Sequence, residues 1–323
     1  MNTIRRVVLA AATLACTATA VPVRAQARVP RLGIIEYGNE TSAAVTVYLA
    51  ALRELGYAEP GTLVVDRRFA QARPERFAGL LEDLARERAD VVFTQGHDIA
   101  QIAKQVVPGQ AIVTAGSEDP VLSGLVASLR RPGGNITGVT FMSPEHAPKR
   151  LEILKEAVPG LARVAVLWDP AHADTYYAEL EKAARSIRME LVSVPVRNAA
   201  DLDGLGAALK ASRAQALFIV PGRLTNFQGR RIAAAALAAG LPAMGAYAVQ
   251  AQLGSLLAYG ANIPDLMRRA AAQTAKIFKG TWPGEIPVEQ AARFVFVVNL
   301  KTAAALGITI PPIVMLRADT VIE

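Results

Sequence analysis

Residues 116–141, GSEDPVLSGLVASLRRPGGNITGVTF, decide how the chain is read. A polar loop leaves a buried apolar strand, a short helix follows, and Pro132-Gly133-Gly134-Asn135 makes a tight turn. Proline presets φ at one turn position and glycine accepts the positive φ that another needs. From Ile136 to Phe141 apolar and small polar residues alternate, the pattern of a strand leaving one layer.

Upstream of this stretch, short apolar runs at 32–35, 63–69, 91–94 and 111–114 read as strands, with 136–141 as the fifth. Amphipathic segments at 42–55, 74–88 and 99–106 lie between them. Ser42 is placed to cap the first of these helices, Gly56 to stop it, and Pro74 suits a first helical turn. Downstream the arrangement repeats. Helices at 145–158, 175–187, 202–211 and 226–239 alternate with strands at 164–168, 191–195, 216–220, 243–245 and 255–259. Strands rich in Val, Ile and Leu, with little alternation, are central, parallel and covered on both faces. Two such series predict an α/β fold of two similar doubly wound parallel-sheet lobes joined by a hinge. Lobe 1 is expected over 28–141 and lobe 2 over 142–260. A helix at 265–279 and a strand at 294–298 are expected to recross, so that parts of 261–293 and 294–323 complete the two lobes.

The first residues have the pattern of an export signal. Arg5-Arg6 is a basic start, residues 7–20 are mostly apolar, and small residues around Ala25 offer a cleavage site. The apolar run is shorter than the roughly 20 residues that a spanning helix needs. Cys16, after Leu14-Ala15, offers a lipoprotein anchor as the alternative, but Thr13 departs from that pattern. Cys16 is the only cysteine, so cleavage near Ala25 leaves a chain without disulfide or thiol chemistry, whose stability must come from its core. That is consistent with a periplasmic protein. The net charge of +7 includes Arg5, Arg6 and Arg24 of the leader, and the other basic residues are scattered over expected helix faces. A nucleic-acid binder would cluster them among aromatics, so that class is set aside.

In doubly wound sheets, ligands sit beyond the carboxyl ends of the strands. In lobe 1 those ends carry Glu36, Tyr37, Gln95, Gly96, His97, Ser117, Glu118 and Asp119, with Phe141 at the exit. In lobe 2 they carry Asp169, Pro221, Gly222, Arg223, Tyr247 and Tyr259. Helix-start N–H groups near Gly96 and Ser117 suit a carboxylate. Glu36, Glu118 or Asp119 suits an ammonium group, the aromatics suit an apolar side chain, and Arg223 suits an anion. Taken singly, each is as readily a cap or a loop-surface residue, Asp98 and Asp119 above all. No nucleophile elbow, dinucleotide fingerprint, P-loop or zinc-binding helix motif is present, and His97, His146 and His172 have no useful metal-ligand spacing. No cofactor or catalytic residue is therefore assigned. An enzyme using His97 with Glu118 or Asp119 as acid and base is the alternative from another class.

Beyond 116–141, LRELGYAEPGTLVVDRRFA at 52–70, KRLEILKEAVPGLARVAVLWDP at 149–170 and FVFVVNLKTAAALGITIPPIVMLRADTVIE at 294–323 carry a resemblance. They resemble segments of the ABC-transporter substrate-binding proteins of the tryptophan/tyrosine-binding type. The likeness runs from about Leu32 to Glu323. It implies a hinged fold of the periplasmic-binding-protein type that captures a small solute, most readily an amino acid or related carboxylate. Delivery would be to an inner-membrane permease driven by a separate ATPase, by a protein that works as a monomer. A sensory role, handing the solute to a membrane receptor, fits the same resemblance. Two departures lie near the expected cleft. Thr94-Gln95-Gly96-His97 stands where many relatives have Thr-Gly-Gly, and Val249-Gln250 where many have an acidic residue and phenylalanine. An aromatic amino acid is therefore not assumed as the ligand.

Overall fold

The computed structural model describes residues 28–116, 119–141, 143–170 and 174–323. The chain begins with β1 (Arg31–Glu36), α1 (Ala43–Glu54), β2 (Val64–Phe69), α2 (Phe77–Arg86), β3 (Val91–Gln95), α3 (His97–Val106), β4 (Ile112–Gly116) and β5 (Ile136–Thr140). It continues with α4 (Ala147–Ala157), β6 (Arg163–Trp168), α5 (Asp174–Ser186), β7 (Glu190–Pro195), α6 (Leu205–Ala211) and β8 (Ala216–Ile219). Next come α7 (Arg223–Phe227), α8 (Gly229–Ala238), β9 (Ala243–Gly245), α9 (Ala248–Gln252) and β10 (Leu257–Ala261). The last elements are α10 (Ile263–Phe278), β11 (Glu289–Gln290), β12 (Phe294–Asn299), α11 (Leu300–Leu306), α12 (Pro312–Met315) and β13 (Thr320–Ile322).

Two sheets result. The first runs β11-β5-β4-β3-β1-β2 with every pair parallel. The second runs β13-β12-β10-β9-β8-β6-β7, parallel except where β12 lies antiparallel to β10. Their parallel portions have the same order: the first strand of each series is flanked by its second on one side and its third on the other. That reversal is the switch point of a doubly wound sheet. It falls between β1 and β3 in the first lobe and between β6 and β8 in the second.

Burial explains the strand composition. β3 (VVFTQ), β4 and β5 are buried almost throughout because helices cover both faces. The edge strands β2 and β7 are only half-buried and carry Asp66, Arg67, Arg68 and Glu190. Alternate residues serve opposite faces: Val91 and Phe93 join Leu32, Tyr48 and Met267 on one side, while Val92 joins Phe77, Leu84 and Ile99 on the other. The second sheet divides in the same way, Val164 and Val166 packing with Leu154 and Phe218, Ala165 and Leu167 with Leu205 and Ile232.

The chain passes between the lobes at three places: after β5, after β10 and before β12. Helix α10 packs on α1, where the Tyr48 hydroxyl and Thr274 Oγ1 lie 2.6 Å apart in the core. Gln273 Nε2 donates to the Gly138 and Pro287 carbonyls, 3.0 and 3.1 Å away, fastening the returning segment beside β5.

Some local expectations are corrected. No helix forms between Asp119 and Pro132. Asp119 Oδ1 accepts from the Val121 and Leu122 amides, and Gly124 at φ +69° turns the chain after one loop. The helix expected over 226–239 is two helices, α7 and α8, that meet at Gln228. The strand expected over 255–259 lies at Leu257–Ala261.

Candidate functional site

Three polar groups are tied together at the first switch point. The Ser42 amide donates to Glu36 Oε1 at 3.2 Å, and Ser42 Oγ donates to Gln95 Oε1 at 3.1 Å. Ser42 is also the N-cap of α1, accepting from the Val45 amide, so one small residue joins the ends of β1 and β3 to a helix start. Glu36 is 2 % exposed, and burial pushes its pKa above the ordinary carboxylate value, with the Ser42 bonds pulling the other way.

Gly96, at φ +118°, turns the chain from β3 into α3. His97 is the first residue of that helix and is 2 % exposed. Its ring occupies the space that a side chain at Gly116 would take. Among the described residues, neither ring nitrogen has a hydrogen-bond partner. Burial holds its pKa down at about 4, against the opposing pull of the Asp98 and Asp119 charges. Asp119 is occupied by the loop amides of Val121 and Leu122. Ser117 and Glu118 lie outside the described residues, as does His172.

The second lobe meets this face through α7. Pro221 and Gly222 lead into Arg223, whose Nη2 donates to Asp98 Oδ1 across the cleft. The same guanidinium lies over the Tyr37 ring at 5.2 Å and the Phe77 ring at 5.1 Å. Four residues later on α7, Phe227 meets Tyr37 edge-on, with centroids 5.5 Å apart, and rests against Gly38. A Cβ at Gly96 would be 2.6 Å from Arg223 Nη2, so that glycine leaves room for the bridge. Asp169, buried at the end of β6, is near enough to raise the pKa of Tyr37, although burial has the larger effect. Phe141 at the first crossing faces Tyr247 edge-on at 5.8 Å.

The strand-end residues do not all come together. Tyr259 packs with Phe294 and Phe296 beside the second core, and its carbonyl accepts from Arg150 Nε at 2.6 Å. Arg150, 1 % exposed, also donates to the Tyr176 hydroxyl. Sequence reading passed over Arg150 because it sits in an ordinary amphipathic helix with no motif around it. Asp98 and Phe227 were missed for a similar reason: one looked like a cap and the other like part of a longer helix. Gln250, which departs from the relatives' pattern, braces a loop. Its Oε1 accepts from the Ala246 and Tyr247 amides at 2.6 and 3.2 Å, and its Nε2 donates to Asn226 Oδ1 at 3.4 Å.

The two switch points face each other and are joined by contacts of α7, at the strand ends where open α/β sheets bind their ligands. Residues 35–322 match the ABC transporter substrate binding protein family. The chain belongs to that family. It is 21% identical to a tyrosine-binding protein of Clostridioides difficile (strain R20291) over 262 residues, which cover 80% of this chain and 75% of that protein. Among solved structures, a conserved domain protein of Vibrio cholerae superposes with a TM-score of 0.84 at 24% identity, covering 91% of this chain and 100% of the other. The ABC domain of Streptococcus pneumonia in complex with L-Trp superposes with a TM-score of 0.81 at 20% identity, covering 91% and 99%. These likenesses establish the shared fold of the family.

Proposed function

We propose that this chain is the exported solute-binding component of an ABC importer. It captures a small organic solute between its lobes, in first place an amino acid or related carboxylate, and presents it to an inner-membrane permease with a cytoplasmic ATPase. The observation that carries this reading is the meeting of the two switch points, with Arg223 of one lobe on Asp98, Tyr37 and Phe77 of the other. A solute held there touches both lobes and shifts them toward closure by its differential affinity for the closed form. The tyrosine-binding relative and the L-Trp complex favour amino acids among solutes.

On this reading Glu36, Tyr37, Gln95, Gly96, His97, Phe141, Asp169, Gly222, Arg223 and Tyr247 surround the solute, with Ser117 and Glu118 beside them in the chain. The leader at residues 1–25 exports the protein to the periplasm, where it works as a monomer. Delivery demands release, so affinity near micromolar, roughly −8 kcal/mol, serves better than tighter binding. A thermal-shift screen of amino acids and small carboxylates tests the reading. A binder at about 100 times its Kd adds about 2.7 kcal/mol of stability and raises Tm by a few degrees. A screen that extends to sugars, polyols and amines and yields no binder would refute it.

A further inference from the structure

We propose that His97 sets what the cleft accepts: a solute whose anionic group docks against its ring and the start of α3, and binds together with one proton. This deepens the solute-binding reading and rests on it. Three features of the site lead there. The first is an imidazole buried to 2 % exposure with neither nitrogen satisfied among the described residues, an arrangement that disfavours the empty protein. An apolar ring would fill the space beside Gly116 without that cost, so the histidine is best explained by a group that arrives with the ligand.

The second feature is the position of the ring at the N-terminus of a ten-residue helix. No side chain caps Gly96, so the first N–H groups of α3 have no intrahelical acceptor and carry the positive end of the helix dipole. An anion placed there meets backbone donors and an imidazole that becomes a charge-assisted donor once protonated.

The third is the state of the surrounding charges. Among the described residues, those facing the ring are Asp98 on its own helix, Asp119 beyond β4, and Arg223 reaching Gly96 from the other lobe. Asp98 is paired with Arg223 and Asp119 accepts from its own loop amides, so neither supplies the ring with a hydrogen-bond partner. Without ligand the ring stays neutral, its pKa held at about 4 by burial. An incoming anion reverses the balance and the ring takes a proton from solvent. If the bound pKa returns only to the ordinary value near 6.5, affinity is about tenfold greater at about pH 5.5 than at about pH 8.

Calorimetric titration of the mature protein tests this. The probes are L-tyrosine, L-tryptophan, short mono- and dicarboxylates, the primary amide of each, and neutral sugars as a control. Each is titrated at about pH 5.5 and about pH 8 in two buffers of different ionisation enthalpy. The expected result is that a carboxylate binds, its amide does not, up to one proton is taken up, and affinity rises about tenfold at the lower pH. His97→Gln, which keeps a polar side chain but cannot titrate, should abolish the uptake and the pH slope. Binding without proton uptake, equal binding of the amide, or an unchanged slope in His97→Gln would overturn the role of His97. Capture of sugars alone would do the same, and each of these outcomes would leave the solute-binding reading intact. If no solute of any kind binds, both fail. The amide comparison and the proton count on the native protein decide the matter even if the variant does not fold.

Discussion

At the switch point of the first lobe, Glu36 is buried and lightly held by Ser42, and His97 is buried without any partner among the described residues. On the second lobe, three large polar side chains are engaged by the protein itself. Gln250 spans two loop amides, Arg150 holds a carbonyl and a hydroxyl, and Arg223 is paired with Asp98. Among the described residues at the two switch points, the polar group left without a partner is the His97 ring of the first lobe. Such a group costs stability in the empty protein, and the loss is recovered when a ligand supplies the missing bonds. On the proposed reading, the first lobe recognises the solute and the second brings a braced surface down on it.

Beneath that difference, both lobes use the same tight backbone approach on corresponding strands, β5 and β10. Gly138 in β5 has φ +150°, and a Cβ there would overlap the Thr114 carbonyl oxygen. Gly260 in β10 has no more room, because a Cβ would overlap the Ala246 carbonyl oxygen. Each contact is with backbone, which cannot step aside as a side-chain tip can. Gly138→Ala and Gly260→Ala should each cost about 3 kcal/mol or more, measured by urea denaturation. A loss below about 1 kcal/mol in either would show that the two lobes do not share this constraint.

The fold was legible because it rests on repetition. Central strands such as Val91–Gln95 are short and apolar, their helices are longer and amphipathic, and the alternation appears twice in the chain. Ser42 announced its cap by residue type alone. The site was legible only as a set of strand ends. Nothing in the sequence says that Arg223 would reach Asp98 at a separation of 125 residues, or that Tyr259 would turn to Phe294 and Phe296. Such pairings depend on how the lobes meet, whereas periodicity reports only on each lobe. Short elements such as Ala248–Gln252 and Glu289–Gln290 escaped because they hold too few residues to display a period.

The bridge between the lobes comes next in size. Arg223 and Asp98 are mostly covered, and the guanidinium also lies on two rings, so the pair should be worth more than an exposed ion pair. Arg223→Ala is expected to weaken solute affinity about tenfold, equivalent to about 1.4 kcal/mol, and to enlarge the radius of gyration of the ligand-free protein in solution scattering. In a double-mutant cycle with Asp98→Ala, coupling of about 1 kcal/mol should appear. Additive effects would mean that the two residues act separately and that the second lobe closes by shape alone.

A smaller effect is expected where the returning helix is pinned to the first lobe. Tyr48→Phe removes the buried bond to Thr274 while keeping the ring stacked on Phe93, with centroids 4.0 Å apart. A loss of about 1 kcal/mol in equilibrium unfolding is expected, with solute affinity unchanged. Weakened affinity without a loss of stability would mean that the α1–α10 contact controls closure.

The smallest effect concerns Glu36 and is read from its pH dependence. Its folded pKa is raised above the ordinary 4.5 by burial, so the folded state disfavours the ionised form. The penalty is absent below that ordinary value and grows as pH rises through the raised one. Glu36→Gln keeps an oxygen for the Ser42 amide and cannot ionise, so its Tm should exceed that of the native protein at about pH 8 and converge with it near pH 4. Taking the difference between the two proteins at each pH cancels the opposite trend from His97, whose lowered pKa makes the ligand-free fold lose stability as pH falls below about 6.5. If Glu36→Gln is instead the less stable at about pH 8, the carboxylate is held more firmly than one amide bond implies. The first lobe would then be as well satisfied as the second, and the contrast between them would rest on His97 alone.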